Sequence, residues 1–217
     1  MDTLIISCET IKDELNHAIA ETNCGYPVVW LESGLHNYPE KLRARLQETL
    51  NGVAGYARVL MGFGYCGNSI AGIKTGGYET IFPRADDCIT ILLGSYATRK
   101  QHERTYFMTK GWLAGEKNIW WEYQYTIKKY GKKRGKEIYA MVLENYRNLG
   151  LLDTGAYDIN ELNTQTMEIA KELGLEHKIL PATTGYIKKL LTGPWPEKEF
   201  LTIPPNHEIT TSQLMLS

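Results

Sequence analysis

Arg58-Val59-Leu60-Met61-Gly62-Phe63-Gly64-Tyr65-Cys66-Gly67-Asn68 is the stretch that decides the fold. A short apolar run breaks off into alternating glycines, and a cysteine stands in the break. An apolar run of this length, bounded by turn residues, reads as a buried strand. Glycine directly after it lets the chain turn tightly and lets other backbone come close.

The same grammar recurs on either side. Leu4-Ile5-Ile6 reads as a strand that runs out at Cys8. Thr10 and Asp13 then form a capping-box pattern, and Ile11, Leu15, Ala18 and Ile19 share one helical face. Val28 to Leu31 reads as a strand introduced by the breaker Gly25-Tyr26-Pro27. Asn37 and Pro39 open a helix that carries Leu42, Leu46 and Leu50. Thr80-Ile81-Phe82 is a fourth strand closed by Pro83, and Ile89 to Leu93 begins another helix. Strands alternating with helices predict an α/β fold. The expected core is a mostly parallel twisted sheet with helices on both faces, Rossmann-like.

Three regions follow. Residues 1–103 form an N-terminal α/β half. Residues 104–150 read as a helical, aromatic-rich insertion or cap, with Trp112, Trp120, Trp121, Tyr123, Tyr125, Tyr130, Tyr139 and Tyr146. Residues 151–217 return to α/β character and are expected to pack on the same core. They hold a helix from Ile159 to Leu173, a strand from His177 to Leu180, a helix from Tyr186 to Leu191, and a strand from Phe200 to Ile203.

The chain has 217 residues, 43% hydrophobic and 23% charged, which suits a globular protein and argues against disorder. A net charge of -1 argues against a general nucleic-acid binder. No apolar run approaches the ~20 residues that span a bilayer. The opening residues lack the basic start and long apolar stretch of a signal peptide. The expectation is a cytoplasmic protein with no membrane and no nucleic-acid partner, in which thiols stay reduced. Its four cysteines then read as ligands, nucleophiles or core residues.

Their placement is informative. Cys8 follows the first strand, Cys66 the third and Cys88 the fourth, while His36 follows the second. In an open parallel sheet the C-terminal ends of the strands share one edge, and ligands bind there. Cys24 precedes the second strand, so it belongs at the opposite edge. Three thiols and an imidazole match the soft-donor preference and tetrahedral number of zinc. Three thiols alone match a [4Fe-4S] cluster with one open iron. No Cys-x-x-Cys pair exists, so a structural zinc ribbon is not indicated. Glu9 and Asp87 stand beside Cys8 and Cys88 and are the candidate proton-handling carboxylates. Arg84 is the candidate partner for an anionic substrate group. Gly67 and Asn68 are candidate substrate contacts in the glycine loop.

Each signal has a plainer counterpart. A thiol after a strand is commonly just core. Asp86 and Asp87 suit helix capping, and Arg84 could pair with either of them. The basic stretch from Lys128 to Lys136 is either a solvated helix face or a contact for an acidic partner.

Ile5-Ile6-Ser7-Cys8-Glu9, Gly62 to Asn68, Pro83 to Ile89 and Leu93-Gly94-Ser95 together resemble an uncharacterised prokaryotic family, a domain of unknown function of methanogens and anaerobic bacteria. Tyr106 to Trp112 and Phe200 to Pro205 resemble its later motifs. Members are often encoded near corrinoid-dependent methyltransferases. The resemblance implies a role in one-carbon metabolism, with Cys8, Cys66 and Cys88 inside the motifs and Cys24 outside them. The leading expectation is a metal-thiolate enzyme, or enzyme component, of corrinoid-linked methyl transfer, with Cys8, Cys66, Cys88 and His36 as ligands and a corrinoid protein or methyltransferase as partner. The alternatives are a non-catalytic carrier of a metal or tetrapyrrole cofactor and a [4Fe-4S] lyase or dehydratase.

Overall fold

The computed structural model describes residues 3–67 and 69–214. The first strands and helices follow the expected alternation: β1 (Thr3–Cys8), α1 (Lys12–Thr22), β2 (Val28–Leu31), α2 (Pro39–Asn51), β3 (Arg58–Gly62), β4 (Glu79–Pro83) and α3 (Cys88–Leu93). The middle contains α4 (Tyr96–Lys100), β5 (Thr105–Met108), α5 (Lys110–Ala114), α6 (Ile119–Tyr130) and α7 (Lys132–Val142). The chain then runs through β6 (Asn148–Asp153), α8 (Ile159–Leu173), β7 (Glu176–Pro181), α9 (Gly185–Thr192), β8 (Phe200–Ile203) and α10 (Thr211–Leu214).

Two sheets form among the described residues. The first has the order β2-β1-β3-β4-β8, with β2, β1, β3 and β4 parallel and β8 antiparallel on the edge of β4. β1 is buried from Thr3 through Ser7, the pattern of a central strand covered on both faces. The chain moves from β1 outward to β2 and then crosses back to β3 on the other side of β1. That reversal opens a crevice beyond the C-terminal ends of β1 and β3. The second sheet, β5-β6-β7, is wholly parallel. It has a separate apolar cluster that includes Met108, Trp112, Tyr123, Tyr139, Leu149 and Leu151. Among the described residues no helix is long and apolar enough to cross a membrane.

The second sheet differs from the sequence reading. β5 lies in the stretch expected to be helical, and β6 runs across residue 150. β5 has four residues and follows a charged turn, so it lacks a long apolar run. β6 carries Gly150, a residue that usually weakens a strand. Here it makes room: a Cβ at Gly150 would stand 2.7 Å from Leu180 Cδ1 and from Thr105 Cγ2. The capping box is also corrected. α1 begins at Lys12 with no side-chain cap, and Thr10 is buried in the 3₁₀ turn Glu9–Ile11.

The C-terminal ends of the two sheets meet. Thr109 Oγ1, just after β5, donates to the Thr10 carbonyl at 2.8 Å, just after β1. A Cβ at Gly111 would stand 2.6 Å from the carbonyl oxygens of Glu9 and Thr10, so only glycine allows this approach. Deeper in the junction, Glu14 of α1 is fully buried. Its Oε1 accepts from Thr154 Oγ1 at 3.4 Å, and its Oε2 has no partner. Burial pushes its carboxyl up from 4.5 to about 7, with Asp13 adding to the shift and Lys110 opposing it.

The folded state therefore holds a proton that the unfolded chain releases above pH 4.5. The stability that comes with this proton is complete below 4.5 and is lost as pH rises through about 7. Urea unfolding from pH 4.5 to about pH 8 will show a loss on the order of 3 kcal/mol from this group. The Glu14→Gln variant will lack that slope.

Candidate functional site

Each sulfur is placed by a strand end. Cys8 closes β1, and its thiol donates to Thr10 Oγ1 at 3.1 Å. Cys88 opens α3, whose N-terminus is capped by Asp87: Oδ1 accepts from the Thr90 backbone at 2.8 Å and from the Thr90 hydroxyl at 2.9 Å. Cys66 stands in the glycine turn after β3 with φ 46, followed by Gly67 with φ 69. Two left-handed residues in succession reverse the chain and leave Cys66 half-buried at the surface of the crevice.

The β3 turn is clamped to the β4–α3 turn through backbone. Tyr65 N–H donates to the Ala85 carbonyl at 2.8 Å, and Cys66 N–H donates to the Asp86 carbonyl at 2.7 Å. Gly64 makes the clamp possible, because a Cβ there would lie 2.6 Å from Ala85 O and from Asp87 N. The clamp brings Cys66 to Cys88, and the parallel pairing of β1 with β3 brings Cys8 to the same place.

The Cys88 thiol interacts with both of the other two. Its hydrogen bond with Cys66 pushes its pKa well up, burial adds to this, and the Asp87 charge adds more. Cys8 is likewise pushed well up, first by its hydrogen bond to Cys88 and then by burial. Left to themselves, Cys8 and Cys88 keep their protons at neutral pH. Among the described residues, no group of three or more His, Cys, Asp and Glu side chains is disposed to hold a metal ion.

His36 arrives from the 3₁₀ turn Leu35–Asn37 after β2. Its ring sits 4.7 Å from the Trp112 ring, and burial lowers its pKa while Asp87 opposes the shift. The imidazole is therefore neutral at pH 7, with a lone pair free for a proton or a cation.

A cavity of about 470 Å³ opens above these groups, in the range of roughly 300–1,000 Å³ typical of small-molecule sites. Its lining includes the Cys66-Gly67 turn, the segment Asp86–Ile89 and an aromatic wall of Tyr106, Phe107, Trp112 and Tyr146. The Trp112 indole N–H donates to the Tyr106 hydroxyl at 2.9 Å, which fixes both rings. A smaller recess next to it is lined by Cys8, Cys66, Cys88 and His36 together.

Of the residues singled out from sequence, Cys8, Cys66, Cys88, His36, Gly67 and Asp87 come together around these two spaces. Asn68 lies outside the described residues. Glu9 lines neither space. Arg84 is turned to the C-terminal segment, where it donates to the carbonyls of Glu197 at 2.6 Å and Gln213 at 3.1 Å. The arginine of the cavity is Arg99, whose Nη2 pairs with Asp87 Oδ2 at 2.9 Å. Cys24 is half-buried and lines neither space. The aromatic segment expected to cap the pocket does supply Trp112 and Tyr146 to the cavity, whereas Arg99 on α4 and Tyr106 and Phe107 on β5 were not singled out as site residues. The apolar run Thr105-Tyr106-Phe107-Met108 was the available signal.

A family model described as a protein of unknown function, DUF1638, matches residues 30–191. The chain belongs to this family. No curated protein and no solved structure matches it. The DUF1638 region contains His36, Cys66, Cys88, Arg99 and Trp112, while Cys8 lies ahead of the matched segment on β1.

The Gly64 clamp is open to test. A Gly64→Ala variant will push the two turns apart and lose about 1–3 kcal/mol in urea unfolding. Cys88 will also react faster with an aromatic disulfide reagent. An unchanged midpoint together with an unchanged rate would refute the clamp.

Proposed function

We propose that this is a cytoplasmic metal-thiolate protein whose centre is the recess between Cys8, Cys66 and Cys88. The observation that carries the reading is that Cys8, Cys66 and Cys88 line one recess together with His36, and that Cys66, Cys88 and His36 also line the small-molecule cavity. The thiols of Cys8 and Cys88 resist ionisation, because their mutual interactions and burial favour the protonated form. A soft cation reverses that balance, since a coordinated thiol loses its proton outright. By donor type, three thiols with a neutral imidazole suit zinc and three thiols suit a [4Fe-4S] cluster; because no metal-holding group stands preassembled among the described residues, binding would have to draw these side chains together.

The chemistry supplied by such a centre is the activation of a soft nucleophile, above all a substrate thiol held as its thiolate. The protein's own groups then have defined tasks. Asp87 is held by Thr90 and Arg99, so it fixes the start of α3 and keeps Cys88 aimed into the recess. Trp112 and Tyr106 close one side of the cavity and exclude water. We place this activity in corrinoid-linked methyl transfer within one-carbon metabolism, on the family resemblance. A corrinoid protein or methyltransferase would dock on the exposed basic end of α6 and α7, where Lys128, Lys129, Lys132 and Lys133 cluster.

A second reading has support in the engagement of the thiols with one another. Two of them could close to a disulfide, passing two protons and two electrons to an oxidised disulfide partner.

Elemental analysis of anaerobically prepared protein, loaded with zinc or with iron and sulfide, decides between them. Wild type and Cys24→Ser are expected to hold about one zinc ion or one cluster per chain. Cys8→Ser, Cys66→Ser and Cys88→Ser are expected to lose it. A colourless loaded sample identifies zinc and a brown one the cluster. Wild type that stays metal-free, and loses two titratable thiols on exposure to oxidised glutathione, would replace this reading with the redox one.

A further inference from the structure

The fixed charges in the cavity lining do not cancel. They are those of Asp86, Asp87 and Arg99. Arg99 Nη2 pairs with Asp87 Oδ2 at 2.9 Å, so these two neutralise each other. Asp86 has no ion pair among the described residues, and it leaves the lining net negative. The same lining is rich in rings: Tyr106, Phe107, Trp112 and Tyr146. Ring faces attract positive charge. One of these already does so within the protein, since the Arg99 guanidinium lies over the Phe107 ring, 5.4 Å from its centre. Tyr106 and Tyr146 meet nearly edge to face, with ring centres 5.7 Å apart and planes 70° apart.

We infer that the cavity binds a small alkylated ammonium ion, seated against Tyr106, Trp112 and Tyr146, with Asp86 as its counter-charge. This names a substrate class for the function proposed above and rests on that cavity being the substrate site, but it does not require a metal. Three observations select this class. A net negative cleft draws in a cation and turns away an anion. The Trp112 indole N–H is spent on the Tyr106 hydroxyl at 2.9 Å, so this part of the wall offers ring surface in place of hydrogen-bonding groups. An ammonium rich in N–H would leave donors unmet against it, whereas an alkylated nitrogen has none to satisfy and binds ring faces by its diffuse charge. Finally, two rings set nearly at right angles make a corner, which fits a rounded head group better than a flat one. A volume of about 470 Å³ holds such a head group together with a short substituent, and Cys66 and Cys88 line the same space.

The test is isothermal titration of full-length, chelator-treated, reduced protein with choline and with 3,3-dimethyl-1-butanol, which has the same shape but carbon in place of the charged nitrogen. Wild type is expected to bind choline at least about tenfold more tightly than the neutral alcohol. Tyr146→Leu and Asp86→Asn are each expected to weaken choline by at least about threefold and to leave the alcohol unchanged. Asp86→Asn keeps the backbone carbonyl that accepts from Cys66 N–H, so the turn it belongs to is retained. Equal binding of the two ligands by wild type overturns the inference, and so does no binding of choline up to about 10 mM. Choline binding that neither variant weakens also overturns it, because the cation is then held elsewhere. The comparison of the two ligands on wild type stands even if a variant fails to fold. Because the protein is stripped of metal, failure here is distinct from failure of the thiolate centre, which elemental analysis reads separately.

Discussion

The contact of the Gly64 backbone with the backbone of Ala85 to Asp87 is the constraint on which the site depends. It is a contact between two loops at the C-terminal edge of a parallel sheet, with no side chain between them. Parallel pairing alone would bring the ends of β1, β3 and β4 to one edge. The clamp removes the remaining freedom. It sets Cys66 in a left-handed turn against the first residue of α3, and Asp87, which caps that helix, holds the other half in place.

A cluster of this kind is held against its own chemistry. The buried thiols of Cys8 and Cys88 keep their protons because they share hydrogen bonds and because burial disfavours charge. That is an inert arrangement until something positive or oxidising enters the recess. The same logic governs Glu14 at the junction of the sheets, where burial holds a carboxyl protonated near neutrality. Polar groups in both places are kept short of their usual state by packing, and both lie where the C-terminal ends of the sheets face each other.

The first sheet was readable because its strands are apolar runs with punctuation after them. Leu4-Ile5-Ile6 and Val59-Leu60-Met61 are buried and end in turn residues, so the side of the sheet to which each cysteine belongs followed from strand direction. β5 and β6 were not readable in the same way. β5 has only four residues, and β6 has a glycine whose purpose is visible only when Leu180 and Thr105 are seen closing over it. The aromatic segment was expected as a helical cap over the pocket, but with β5 missing, Tyr106 and Phe107 had no place on a strand beside the thiols. Arg84 was then the nearest arginine in sequence, although Arg99 is the one in the cavity.

Local pattern by itself determined the class of fold, the direction of the first four strands and the edge at which Cys8, Cys66, Cys88 and His36 would lie. These depend on periodicity and on the handedness of strand–helix winding, which act over a few residues at a time. Only the tertiary structure decided that a second sheet faces the first, which arginine reaches the cavity, and how the thiols engage one another. Those features arise from close approaches between segments far apart in the chain, at Gly64, Gly111 and Gly150, and a glycine's neighbours in space leave no mark in its neighbours in sequence.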